Sequence, residues 1–300
     1  MLKSHFNLRP DDSGEQEETV EEEQASEAAE EEKVVHPVRK LNRFEVCGRL
    51  SLLGKTAEGD GYTYLKAKCT GMSLTDISGL KYYKHLQFVD VSDNHLDLDA
   101  LQVLTDLQFL VLIHADKNIL HSAALKKMKY LQVIIMNYNL ITSVHDIYQP
   151  ELSTLEVGYN KIERVSFDNR MPNIKCLDFR YNTIEDISNL DFPKLDSLYL
   201  AGNKITSLVL TALDTLVMKG CPYMGGSGEE NADLGNEEED TEVRIEVLAA
   251  LPRLKRINKG VVTPEERAEA KDLMMQWLEE GDKDEEEIDE EINEQESNAD

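Results

Sequence analysis

The sequence predicts an α/β solenoid of stacked turns, and two observations carry that prediction: an asparagine that returns at near-constant spacing, and an apolar ladder that frames it each time. The segment LQFVDVSDNHL at 86–96 sets the frame. Leu86, Val89, Val91, Asn94 and Leu96 occupy the slots of L-x-x-L-x-L-x-x-N-x-L. The same frame fits LQVIIMNYNLI from Leu131, LSTLEVGYNKI from Leu152, IKCLDFRYNTI from Ile174 and LDSLYLAGNKI from Leu195. Asn139, Asn160, Asn182 and Asn203 stand 21, 22 and 21 residues apart. The pattern is that of a leucine-rich repeat solenoid, with short parallel strands on its concave face. No single turn buries its own apolar face, so stacking supplies the core and the ends need caps. The asparagine amide serves backbone groups left unpaired inside each bend.

Between Asn94 and Asn139 lie 45 residues, which calls for one degenerate repeat. In LQFLVLIHADKNIL, the frame is taken by Leu107, Leu110 and Leu112, with Ala115 in the asparagine slot and Asn118 after a short insertion. Upstream, YLKAKCTGMSL aligns Tyr64, Ala67, Cys69, Met72 and Leu74. Downstream, LDTLVMKGCPY puts Cys221 in the asparagine slot. This gives about eight repeats of 21–24 residues, the outer two atypical.

The ends read as caps. RFEVCGRLSLLGKT is expected to form a short helix over the first turn, and EGDG at 58–61 is turn chemistry leading into the first strand. Gly48 and Gly54-Lys55-Thr56 are separated by one residue too many for a phosphate-binding loop. VRIEVLAALPRLKRIN at 243–258 suits a terminal helix and strand, closing the core with Val247, Leu248, Leu251, Leu254 and Ile257. A further helix starts with Thr263 as N-cap, Pro264 first inside, and Glu266 completing a capping box. Its face of Ala270, Leu273, Met274, Trp277 and Leu278 either packs back on the cap or docks on another protein. The expected organisation is therefore an acidic, disordered tail over 1–42, solenoid with N-terminal cap over 43–221, acidic Gly-rich loop over 222–242, terminal cap over 243–260, amphipathic helix over 261–280 and acidic, disordered tail over 281–300.

Charge is confined to three tracts. Residues 1–40, 229–242 and 279–300 carry net −7, −8 and −12, which is the whole formal charge of −27, so the repeats themselves are neutral. Such runs cannot bury enough apolar surface to offset chain entropy. They act either as solvating tails or as contacts for a basic partner, and they argue against direct binding of nucleic acid or an anionic membrane. The sequence has no run long and apolar enough to span a membrane and no hydrophobic signal core at its start, which suits a soluble intracellular protein. Cys47, Cys69, Cys176 and Cys221 have no close spacing and are read as reduced core thiols. His85, His95, His114, His121 and His145 are scattered without a nucleophile or ligand spacing, so they are read as surface or turn residues. No catalytic, cofactor or metal residues are assigned, and no enzymatic activity is expected.

Binding in such a solenoid is expected on the outward positions of the strand face. Phe88, Phe109, Val111, Ile113, Val133 and Ile135 are predicted to form an apolar patch for a protein partner. On that register, replacing Phe88 and Ile113 by aspartate leaves the fold intact. Tyr138, Tyr159 and Tyr181 precede successive asparagines and are expected to stack along one rim, either as packing between turns or as partner contacts. Asp90, Glu156, Asp178 and Arg180 add charge beside them, and the helix contributes Leu273, Met274, Trp277 and Leu278.

Two segments outside the regular repeats resemble a known family. The stretch at 50–96, with TDI at 75–77 and VDVSDNHL at 89–96, is similar to the opening repeats of the leucine-rich repeat-containing protein 23 family. LPRLKRINKGVVTPEERAEAKDLMMQWLEE at 251–280 resembles that family's terminal cap and acidic helix, so the likeness runs over 46–280. The chain departs from it in a longer acidic loop at 225–242 and in the degenerate third repeat. The resemblance implies a structural component of the ciliary or flagellar axoneme, at the third radial spoke. There it would scaffold spoke-head proteins within a large complex and support motility, residing in the cytoplasm during assembly. Two other readings stay open: an acidic nuclear leucine-rich protein that binds histones, and a leucine-rich regulatory subunit of a phosphatase. The histone reading wants a basic localisation cluster, whereas KKMK at 126–129 falls inside a repeat.

Overall fold

The computed structural model describes residues 36–56, 59–185, 187, 190, 192–206, 213–222 and 240–277. Two compact units divide the chain, Met1–Pro37 and Val38–Asp300, and the solenoid lies in the second. Its strands form one sheet in sequence order. They are β1 (Leu50–Lys55), β2 (Tyr62–Lys68), β3 (Phe88–Asp90), β4 (Leu112–His114), β5 (Val133–Ile135), β6 (Thr154–Glu156), β7 (Cys176–Asp178), β8 (Ser197–Tyr199), β9 (Thr215–Val217), β10 (Arg256–Ile257) and β11 (Gly260–Val261). From β2 to β10 every pairing is parallel. The middle residue of each three-residue strand points inward, and Val89, Ile113, Ile134, Leu155, Leu177, Leu198 and Leu216 are all fully buried.

The asparagines hold the turns together as their spacing predicts. Asn160 is typical. Its Nδ2 donates to the carbonyls of Met136, Val157 and Gly158 at 3.0, 2.9 and 3.1 Å, while its Oδ1 accepts from the Ile141 amide at 3.0 Å. The side chain thus bridges one turn to the one before. The residue preceding each ladder position has a left-handed backbone: Asp93, Lys117, Tyr138, Tyr159 and Tyr181 at φ 53–57°, and Gly202 at 69°. That conformation costs a side-chain-bearing residue on the order of 1 kcal/mol. It is held because each of these amides donates to a carbonyl of the next turn, as from Tyr138 to Gly158 at 3.0 Å and from Tyr159 to Arg180 at 2.8 Å.

In the third regular turn the register differs from the sequence reading. Asn118, not Ala115, is the ladder asparagine: its Oδ1 accepts from Leu96, and its Nδ2 donates to Val91, Ala115 and Asp116. Leu110, Ile113 and Ala115 are therefore the inward residues, and Leu112 faces out. There is no insertion. The turn is 24 residues from Asn94 to Asn118 and 21 from there to Asn139. Ile113→Asp accordingly belongs with core substitutions.

At the N-terminal end the predicted cap helix is short, Arg43–Cys47, with a capping box between Asn42 and Glu45. The LSLLGK stretch is a strand that pairs antiparallel with β2, so the turn at 58–61 closes a hairpin. Leu41 is fully buried and its amide bonds Asp76, which places residues 39–42 on the solenoid and not in the tail drawn over 1–42. Of the cysteines, Cys69 and Cys221 are core thiols; Cys47 is exposed and Cys176 lies on the outer strand face, which corrects the reading of all four as core. Cys221 fills the ladder slot, its Sγ donating to the Leu200 carbonyl at 3.2 Å.

At the other end the helix Thr241–Ala250 runs into β10, and Val247, Leu248, Leu251, Leu254 and Ile257 are buried as predicted. In earlier turns the amide after each strand bonds a carbonyl of the next strand, as Leu200 does to Val217. For the Met218 amide that partner is the Oδ1 of Asn258, at 2.8 Å, which also accepts from Lys219 at 3.0 Å. The helix over 264–277 begins with the predicted box, Thr263 N to Glu266 Oε2 at 2.7 Å and Glu266 N to Thr263 Oγ1 at 3.2 Å. It is pinned to the cap by two arginines. Arg244, itself nearly buried, meets Glu266 at 2.7 Å and the Ile257 carbonyl at 3.2 Å, and Arg267 reaches the carbonyls of Pro252 and Leu254. Arg244→Met strands the Glu266 carboxylate and is expected to weaken this docking by about 2 kcal/mol. Hydrogen exchange should then quicken by about 30-fold over 264–277 and stay unchanged over β3–β8; uniform quickening would mean the helix is not a separate attachment.

Candidate protein-interaction surface

Outward side chains of consecutive strands lie in rows because the pairing is in register. One row runs Lys66, Phe88, Leu112, Val133, Thr154 and Cys176; the next runs Lys68, Asp90, His114, Ile135, Glu156 and Asp178. Three neighbouring apolar side chains, Phe88, Leu112 and Val133, with Ile135 beside them, thus make a half-buried strip over β3–β5. Leu112 was missed from sequence and Ile113 was wrongly assigned to this surface, since a one-residue slip in a strand exchanges the two faces. The signal was present: Lys117-Asn118 keeps the repeat length without an insertion.

Two other predicted patch residues sit just outside the strands. Val111 precedes β4, its carbonyl accepting from Gln132 and Val133. Phe109 stacks between His85 at 5.8 Å and Tyr130 at 6.4 Å, along the edge of the strip. The rim tyrosines stack as expected, with ring centroids 4.1 Å apart for Tyr138 and Tyr159 and 4.3 Å for Tyr159 and Tyr181. Lys117 lies over the Tyr138 ring at one end. At the other, a Cβ on Gly202 would come within 2.7 Å of the Tyr181 ring, so glycine lets that ring lie flat. The tyrosines therefore pack between turns while Tyr138 and Tyr159 keep about 40% of their surface exposed. On the helix, Leu273 and Met274 pack on the cap and Trp277 is 42% exposed; Leu278 lies outside the described residues.

Beside the apolar strip the face is polar and mainly acidic. His114 stands 3.0 Å from Asp116 and 3.6 Å from Asp90, and these carboxylates raise its pKa above the ordinary value, the hydrogen bond to Asp116 being the main cause. This pairing was not read from sequence, because Asp90 and Asp116 come from different turns. Arg180 forks onto Asp178 with contacts of 2.5–3.0 Å and covers the Tyr199 ring. Glu156, half-buried, has its carboxyl pushed up by burial and by the nearby Asp178 and Asp116.

Both raised groups make the fold favour the proton. The His114 contribution is complete below its unfolded value of about 6.5 and is lost as pH climbs through the higher folded value. The Glu156 contribution declines earlier, as pH rises above its unfolded value near 4.3. We expect the urea midpoint of the full chain to fall between pH 6 and pH 8, and His114→Gln to flatten that fall. A midpoint that climbs over the same range through His114 would contradict the assignment.

Among the described residues no group of three or more His, Cys, Asp or Glu side chains is placed to hold a metal ion, and no helix is long and apolar enough to cross a membrane. What the face offers is a shaped apolar strip edged by charge. That is the surface of a leucine-rich repeat protein-interaction scaffold, a class that typically works without catalysis. A family model for leucine-rich repeats in two copies matches residues 172–215. Leucine-rich repeat-containing protein 23 of Homo sapiens is 32% identical over 275 residues, spanning 77% of this chain and 78% of that protein. The Bos taurus protein of the same name is 32% identical over 268 residues, spanning 75% and 77%. The chain belongs to the leucine-rich repeat-containing protein 23 family. Among solved structures, an internalin (inlF) from Listeria monocytogenes has a TM-score of 0.42 at 19% identity, covering 64% of this chain and 53% of its own.

Proposed function

We propose that this protein is a non-enzymatic scaffold of the ciliary or flagellar axoneme, a component of the third radial spoke that binds spoke-head proteins and supports motility. The observation that carries the binding role is the exposed strip of Phe88, Leu112 and Val133 on an otherwise polar strand face. Such a strip on a rigid sheet is typical of an interface. Membership of the leucine-rich repeat-containing protein 23 family supports the axonemal site. The acidic tracts fit life among basic partners within a large complex. Tagging the protein in a ciliated cell and locating the tag by axoneme tomography tests the reading. Density at the third spoke, and loss of spoke-head structure on deletion, are the expected results. A nuclear tag would favour the histone-binding alternative, and spokes unchanged by deletion would also end the proposal.

A further inference from the structure

The strip and its acidic border have a geometry that selects a shape and a charge of partner. We infer that the strand face over β3–β7 receives an amphipathic helix of another protein, lying across the strands with apolar residues on Phe88, Leu112 and Val133 and lysine or arginine toward the carboxylates beside them. This deepens the scaffold reading and rests on it only for the partner being a protein.

Spacing argues for a helix. Adjacent strands lie about 4.8 Å apart, and a helix repeats a face about every 5.4 Å. Across the two intervals from Phe88 to Val133 the mismatch reaches only about 1 Å, within the reach of side-chain adjustment. An extended peptide repeats a face about every 6.7 Å and would be nearly 4 Å out of step by the third strand. The strands here are also paired on both sides from β2 to β10, so an extended segment finds no backbone edge to join.

Charge argues for a basic partner from another chain. Asp90, Asp116, Glu156 and Asp178 face Arg180 and His114, which leaves the border net negative. The three acidic tracts of this chain, at net −7, −8 and −12, would be repelled. A second copy offers nothing better. In the helix Thr241–Ala250 the one basic side chain, Arg244, is committed to Glu266 and Ile257, and the helix over 264–277 is docked at the cap.

The test uses the full chain carrying Val133→p-benzoylphenylalanine, photolysed in a detergent extract of axonemes, with the cross-linked peptide sequenced by mass spectrometry. The expected product is one foreign segment with apolar residues at i, i+3 or i+4 and i+7 and an excess of lysine and arginine. A synthetic peptide of that segment should bind the full chain. Glu156→Lys should weaken it at least about tenfold and Glu156→Gln less, both at unchanged urea midpoint, with the loss restored by lysine-to-glutamate reversal in the peptide. An acidic or aperiodic segment, a cross-link to this chain, no cross-link at 133, or indifference to charge reversal would overturn the inference. If the labelled protein is basic and helical but not axonemal, the proposed function falls and the inference stands. If spoke proteins are captured from Tyr138 or Trp277 and never from 133, the inference falls and the proposed function stands.

Discussion

Asn139→Ala is expected to cost about 4 kcal/mol, because the side chain serves five buried backbone groups at once. Its Oδ1 accepts from the amides of Asn118 and Leu120 at 3.1 and 3.2 Å, and its Nδ2 donates to the carbonyls of Ala115, Met136 and Asn137 at 3.1 Å. The carbonyls keep other donors: Asn118 Nδ2 on Ala115, Asn160 Nδ2 on Met136 and the Lys117 amide on Asn137. The two amides have no alternative partner in the buried bend, and each unmet group costs about 1–3 kcal/mol. Because neighbouring turns stabilise one another, the damage should centre on β4–β6 and not on the caps. Urea unfolding with hydrogen exchange measures both the size and the location. A loss under about 1 kcal/mol would mean that the asparagine ladder is not what joins the turns.

The second large effect separates two adjacent residues. Ile113 is fully buried, so Ile113→Asp puts a carboxylate among Val89, Ile134 and their neighbours with no cation to meet it. The central turns are expected to unfold, a cost of more than about 4 kcal/mol. Leu112→Asp, one residue away on the outer face, should keep the urea midpoint within about 1 kcal/mol and lose the partner. Circular dichroism and a pull-down from axoneme extract distinguish the two. If Leu112→Asp unfolds the chain and Ile113→Asp does not, the strand faces are the reverse of those described.

Most of the fold was legible because the leucine-rich pattern reports local physics. A buried asparagine with leucines at fixed offsets leaves the backbone one way to close each bend, and the clean turns from Leu131 to Ile205 lie as read. The third turn was misread because Leu110, Leu112 and Ile113 are chemically interchangeable in a pattern. Only the hydrogen bonds of Asn118 decide which of them faces inward. The hairpin of β1 and β2 was misread for a different reason: RFEV is a capped helix start, and nothing local marks its end at Cys47. Turn residues flanked by LSLLGK and YTYLKAK were the available hint of a hairpin. At the surface, Phe88, Val133 and Ile135 were legible as outward apolar positions, since strand alternation alone places them. Leu112 and the His114 pairing were not, because both depend on register between turns. The terminal helix was readable to its capping box, but its attachment through Arg244 joins residues 22 apart in the chain and leaves no local trace.

Side-chain footprinting of the full chain, free and bound to axonemal complexes, tests most directly whether the strand face is the partner surface. Hydroxyl-radical labelling should fall at Phe88, Leu112 and Val133 on binding and stay level at Phe44 and Trp277. Protection confined to Trp277 or to the side away from the strands, with those three unchanged, would contradict it.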